Sequence, residues 1–521
     1  MTDVVRCNFR VSCDRRLRLA TTVSNLASNS DRVSWILDAW KDLLLFIATP
    51  ALIIPLLMAA NLRFSDQTIY TMVIALGATG HHLPGMMRAY GDRDLFRRFR
   101  VRFIAAPLLL LVVCVWLSLT GLTAMRVVLL LWGFWHGLMQ VYGFVRIYDA
   151  KVGSFANSTA KLDWWMCFSW FSLGLITSQG RMSNLLEVFY QAGGPLISPG
   201  LVNGFRLAWG IGTIGVTVAF LVNHVIQVRR GTPPSGIKLV LMATSFAFWW
   251  YAMVWIDSVL IGIALFEIFH DVQYLAIVWI FNRRRVDKSG NVGSFTRFLF
   301  RRNAIMMLLY VGLVLAYGLS SLTGDLLDNQ LLFHTVNGFF WMSTLLHFYF
   351  DGFIWKVREQ STRDGLDVDS QSATNVRSNF SVGFMHLLKW TPFALAVGLF
   401  SFSEWWSSAV EDTASKIRRY ENIVQIAPDH EKSAVQLASL QQNAGLSEEA
   451  KTTLEGVIAK SPEYVEAHVM LASVFETQGL RDKAITAYER AIKLQPGLSE
   501  LTERVQQLKN GAPTRSLAPQ P

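Results

Sequence analysis

Charged residues are scarce in this sequence. Asp, Glu, Lys and Arg make up 17% of 521 residues, against roughly a quarter in ordinary soluble domains. Cysteine is rarer still, with four in all. Cys7 and Cys13 precede the first apolar run, and Cys114 and Cys167 lie in or beside apolar stretches, so a disulfide framework has no support. Residues 1–33 are basic and polar and lack the apolar core of a cleavable signal peptide, which makes them a cytoplasmic tail. No ferredoxin, flavin or nucleotide motif is visible, so any electron supply must come from elsewhere. The His-x-x-His-His boxes of membrane desaturases and hydroxylases are also missing. The net charge of +10 does not point to nucleic acid, because the positive residues fall mainly in short loops between apolar runs.

What is abundant is apolar. Hydrophobic residues make up 52% of the chain, with 34 Phe and 18 Trp, and the mean hydropathy is +0.32. The pattern predicts an all-α polytopic membrane bundle with spans at about 41–62, 68–90, 102–122, 126–148, 163–180, 204–228, 237–256, 258–281, 303–322, 329–355 and 382–402. Basic loops follow the even spans, which predicts a cytoplasmic N-terminus and, with eleven spans, a C-terminus outside, in a bacterial setting the periplasm. The expected organisation is a tail over 1–33, a bundle over 34–403, helical repeats over 404–511 and a loose tail over 512–521. The repeats rest on spacing: Pro428, Pro462 and Pro496 are 34 apart, as are Gly445 and Gly479, and Ala450 and Ala484. This resembles the tetratricopeptide repeat and implies a protein partner.

The chemistry gathers in the even spans. Residues 258–288 carry Glu267-x-x-His270-Asp271 in the middle of an apolar run, and Glu267 and His270 share a helix face. Ionisable groups at that depth mark function, and Glu-x-x-His is a spacing by which bundles hold metal ions. Three other spans carry His81-His82, His136 and His347, the last with Asp351 one turn on. All four spans run in one direction, with histidines roughly 10–20 Å above the cytoplasmic interface at 1.5 Å per residue. The expected ligands are His81, His82, His136, Glu267, His270 and His347. Asp271 and Asp351 are the expected catalytic or supporting acids, and Gln140 a partner that orients an imidazole. Gln140, Tyr142, Tyr274 and Trp355 are the expected lining of a pocket for a long apolar substrate. Imidazoles with a carboxylate suit iron and, less well, zinc, copper or manganese. Iron in an apolar bundle predicts oxygen chemistry on a lipid or isoprenoid drawn from the membrane lipid. A metal-free proton pathway in a transporter or membrane platform is the competing reading.

The order of these motifs resembles the Brp/Blh family of integral-membrane β-carotene 15,15'-dioxygenases. His81 or His82 in GHHLPG, His136-Gly137, His270 before the basic run Arg283–Arg285, and His347 with Asp351 before Lys356 are similar to that family's four histidine segments. The resemblance covers four patches between residues 80 and 360 and implies histidine-held iron and cleavage of a carotenoid. The chain departs from it in its greater length, in Glu267 and in its repeats. Trp135-His136-Gly137 is also similar to the Trp-His-Gly of membrane-bound O-acyltransferases, although their basic segment upstream is missing here.

Overall fold

The computed structural model describes residues 34–288, 292–355, 382–408 and 412–513. The expected N-terminal tail with Cys7 and Cys13, the basic segment after Trp355 and most of the C-terminal tail lie outside the described residues. The described chain is helical and contains no strand. Among the described residues, six helices are long and apolar enough to cross a membrane, and a seventh span arises if the pair Ala39–Ile47 and Thr49–Asn61, bent by 46°, counts as one. Eleven are expected from the sequence, and several of those stretches take another form. The stretch expected to span 68–90 is broken into helix Asp66–Val73, a π-helical segment Ile74–Thr79 and helix His82–Gly91. Helices Asn157–Thr177 and Gln330–Ile354 are long enough, but their hydroxyl, amide, imidazole and indole side chains lower their hydropathy.

The chain forms two compact units. One takes the described parts of Met1–Thr120, Leu131–Ser172 and Ile211–Asn379; the other takes Gly121–Leu130, Leu173–Gly210 and Phe380–Pro521.

In the first unit the buried core mixes aliphatic with aromatic side chains, Phe46, Phe144, Phe171, Trp249, Phe269 and Phe281 among them. Helix Gln330–Ile354 lies along helix Arg93–Thr120. Gly338 makes this possible, since a Cβ there would stand 2.6 Å from Val115 Cα, inside any van der Waals separation. The contact is reinforced by Ser118 with His334 at 3.1 Å and by Phe103 against Phe350.

Charges that read from the sequence as loop charges turn out to be internally paired. Lys238 donates to Asp149 (2.7 Å) and to Asp163 (2.8 Å), and Arg146 donates to the same two carboxylates (2.7 and 2.9 Å). Lys238, Asp149 and Asp163 are fully buried. Arg285 pairs with Asp92.

In the second unit, helices Glu431–Asn443 and Ser447–Lys460, then Val465–Thr477 and Arg481–Leu494, form two antiparallel pairs, with Ser499–Lys509 closing the stack. Ala438, Ala450, Ala472 and Ala484 are buried completely, which explains the small residues at a 34-residue period. Gly445 and Gly479 turn the chain between the helices of each pair at φ +79° and +74°, a conformation that costs other residues about 1 kcal/mol or more. A buried ion pair of Glu476 with Arg504, to which Tyr488 adds a hydrogen bond of 2.9 Å, ties the last helix to the stack. Nearer its start, helix Gln179–Gln191 packs Met182, Leu186 and Tyr190 against Ile423 and Ile426 of helix Thr413–Ile426.

Candidate metal centre

The first histidine pair follows the π-helical segment Ile74–Thr79. A π turn adds a residue to the helical repeat and is found often at functional sites. Here it delivers His81 and His82 at the head of a new helix. Gly77 is needed for a second reason, because a Cβ on it would fall on the Asp271 carboxylate. With that space open, Asp271 Oδ1 lies 2.7 Å from His81 Nδ1, and the Gly77 carbonyl lies 3.2 Å from the same nitrogen. His81 Nδ1–H thus faces two acceptors, which leaves Nε2 as the atom that faces inward.

His136 comes from helix Ala124–Lys151, His270 from Val259–Lys288 and His347 from Gln330–Ile354. Gly137 brings the first two helices together, since the Phe266 ring stands 2.7 Å from where its Cβ would be. Together with His81, these residues offer one ring nitrogen each, all within 4.8 Å of one another, and all four side chains are buried. His347 Nε2 sits 2.9 Å from His81 Nε2 and 3.0 Å from His136 Nε2. His270 meets His81 and His136 edge-on at 5.0 Å between ring centroids. Each separation is that of a hydrogen bond between imidazoles, yet the two share the His347 Nε2 atom. One hydrogen would have to serve both Nε2 contacts while other lone pairs crowd the same point. A single cation would take a lone pair from each ring.

His82 points elsewhere. Its Nδ1 lies 3.1 Å from Ser343 Oγ, which is 2.6 Å from Tyr317 Oη, and its ring stacks on His347. Glu267 is one turn before Asp271 on the same helix and is outside the group of four. Asp351 accepts from Tyr274 Oη and from Trp355 Nε1, each at 3.0 Å, and its other oxygen stands 3.8 Å from His347 Nδ1. Gln140 Nε2 donates to the His270 carbonyl (3.0 Å) and to Gln273 Oε1 (3.1 Å), so it holds the helix that carries His270. Tyr142 packs against the apolar core. The Arg88 guanidinium lies over Trp355 at 3.8 Å and over Phe281 at 3.9 Å, and those two rings meet edge-on at 5.1 Å. Of the expected pocket lining, Tyr274 is therefore the residue whose ring borders the histidines, 5.0 Å from His347 and 5.4 Å from His81.

Two contributors escape a reading of motifs. Ser343 shares a face with His347 four residues later, a spacing that is visible once the helix is assumed. Gly77 lies in the glycine-rich run ahead of the histidine pair, but nothing local shows that its missing Cβ makes room for an acid 194 positions away.

Comparison with known proteins adds one finding. The tetratricopeptide repeat family matches residues 465–497, within the second of the helix pairs and the turn after it. No curated protein matches the chain, and no solved structure matches it. Repeats of this kind mediate contacts between proteins, so a protein partner is consistent with this part of the chain.

Proposed function

We propose that the protein is an integral-membrane metalloenzyme in which His81, His136, His270 and His347 hold one iron ion for oxygen chemistry on a lipid-soluble substrate. The observation that carries this reading is the meeting of four buried imidazoles, drawn from four separate segments, on one point of an apolar bundle. The four ring nitrogens lie within 4.8 Å of one another, close enough for one ion to take a lone pair from each. The resemblance to the Brp/Blh dioxygenases rests on these same four positions and points to the same metal, with a carotenoid or another isoprenoid as the substrate class.

A bound iron would supply the redox chemistry with dioxygen, and the chain's own residues do the rest. The Gly77 carbonyl and the Asp271 carboxylate both stand against His81 Nδ1, which favours the tautomer whose Nε2 faces inward. Phe266, Phe348 and the ring of Tyr274 surround the imidazoles with apolar surface that excludes water. Phe348 stacks on His136 at 4.7 Å. Substrate would enter sideways from the bilayer, where an isoprenoid already resides. The loop charges support a cytoplasmic N-terminus with the repeats in the periplasm, where they would recruit a protein partner.

Metal analysis with an absorption spectrum on detergent-purified protein tests the centre. One iron per chain, lost in His270→Ala and in His347→Ala, is the expected result. Zinc in its place would redirect the reading to hydrolytic or transfer chemistry. Protein prepared anaerobically with added iron that still holds no metal would leave the histidines as a proton pathway.

A further inference from the structure

Building on the metal centre proposed above, we propose that Asp351 is a positioning residue: by accepting the Nδ1–H of His347, it turns that ring's Nε2 onto the metal. The argument begins with the tautomer. His347 Nε2 is the atom that meets His81 and His136, so a neutral His347 that ligates through it carries its hydrogen on Nδ1. That Nδ1 is buried and has no hydrogen-bond partner, and a buried donor left unsatisfied costs about 1–3 kcal/mol. The carboxylate that can satisfy it is Asp351, whose Oδ2 waits 3.8 Å away, one turn along the same helix.

Asp351 is itself restrained. Tyr274 Oη and Trp355 Nε1 both donate to Oδ1 at 3.0 Å, which directs the remaining oxygen toward His347. Gly85 keeps the space open, since a Cβ on it would lie 2.8 Å from Tyr274 Oη, 3.5 Å from His347 Nδ1 and 3.7 Å from Asp351 Oδ1. The pair thus repeats, in open form, what Asp271 and His81 already make at 2.7 Å. An imidazole that ligates a metal almost always gives its other N–H to such a partner. Less than an ångström of closure completes the second pair.

The test uses Co2+ alone as probe on the full-length protein, with affinity read by competition against a chelator and geometry by the visible d–d bands. Asp351→Asn is expected to weaken Co2+ binding about 10–100-fold, the usual loss of an outer partner, and to shift the bands. Tyr274→Phe, which removes one of the two donors to Oδ1, should move both readouts the same way but less. Wild-type affinity and bands in a folded Asp351→Asn overturn the assignment. If that variant does not fold, wild-type behaviour of Tyr274→Phe overturns it instead. Wild-type protein that takes up no Co2+ is a different failure, which removes the metal centre itself and this role with it.

Discussion

At Gly77 the chain gives up a side chain so that a carboxylate can stand beside an imidazole. Gly77→Ala would put a methyl group where Asp271 now sits, pushing the acid off His81 Nδ1. Metal affinity should fall about 10–100-fold, the cost of losing an outer hydrogen bond to a ligand, and the same chelator competition would show it. Wild-type affinity in this variant would mean that Asp271 does not support His81. The four converging histidines were legible in the sequence because imidazoles are rare in apolar runs and each stood out alone. The separation of His81 from His82 was not legible. Adjacent residues on a helix point about 100° apart, and which of them faces the centre depends on a π turn that carries no residue signature of its own.

At the level of the helices, composition foretold the elements better than their crossings. The apolar runs at 102–122, 126–148 and 258–281 became helices Arg93–Thr120, Ala124–Lys151 and Val259–Lys288. The broken run at 68–90 did not become one helix, because its glycines and the π segment interrupt it. Nor does local sequence show that Lys238 reaches Asp149 and Asp163, since 89 and 75 positions separate the partners. Lys238→Met would strand two buried carboxylates with Arg146 as their remaining cation, and removing one partner of a buried pair costs about 3–5 kcal/mol. The thermal midpoint of the detergent-solubilised protein should fall clearly. An unchanged midpoint would show that this cluster contributes little. Among the repeats, Glu476→Ala leaves Arg504 buried without its carboxylate. It should loosen helix Ser499–Lys509 first, seen as faster amide exchange there than in the helix pairs before it.

For the whole molecule, the orientation rests on where Lys and Arg lie. Part of that count is now spoken for, because Arg146, Lys238 and Arg285 pair with acids inside the fold. The exposed Arg97, Arg98 and Arg100 near the start of helix Arg93–Thr120, and Arg229 and Arg230 at the end of helix Pro199–Arg229, predict cytoplasmic ends for those helices under the positive-inside pattern. A reporter active only in the periplasm, fused after residue 513, should therefore be active, and one fused after Arg230 should not. The reverse pattern would invert the topology.

His81 and His347 are 266 residues apart in the chain, and His136 and His347 are 211 apart. During synthesis the centre cannot exist until nearly the last apolar helix of its unit has been inserted, however early the first ligand enters the membrane. An ion captured by two or three of the histidines beforehand would be held by a half-built cage. A metal ion held as proposed would therefore load late, only once His347 is in place, and a chain that stalls before residue 347 would stay metal-free.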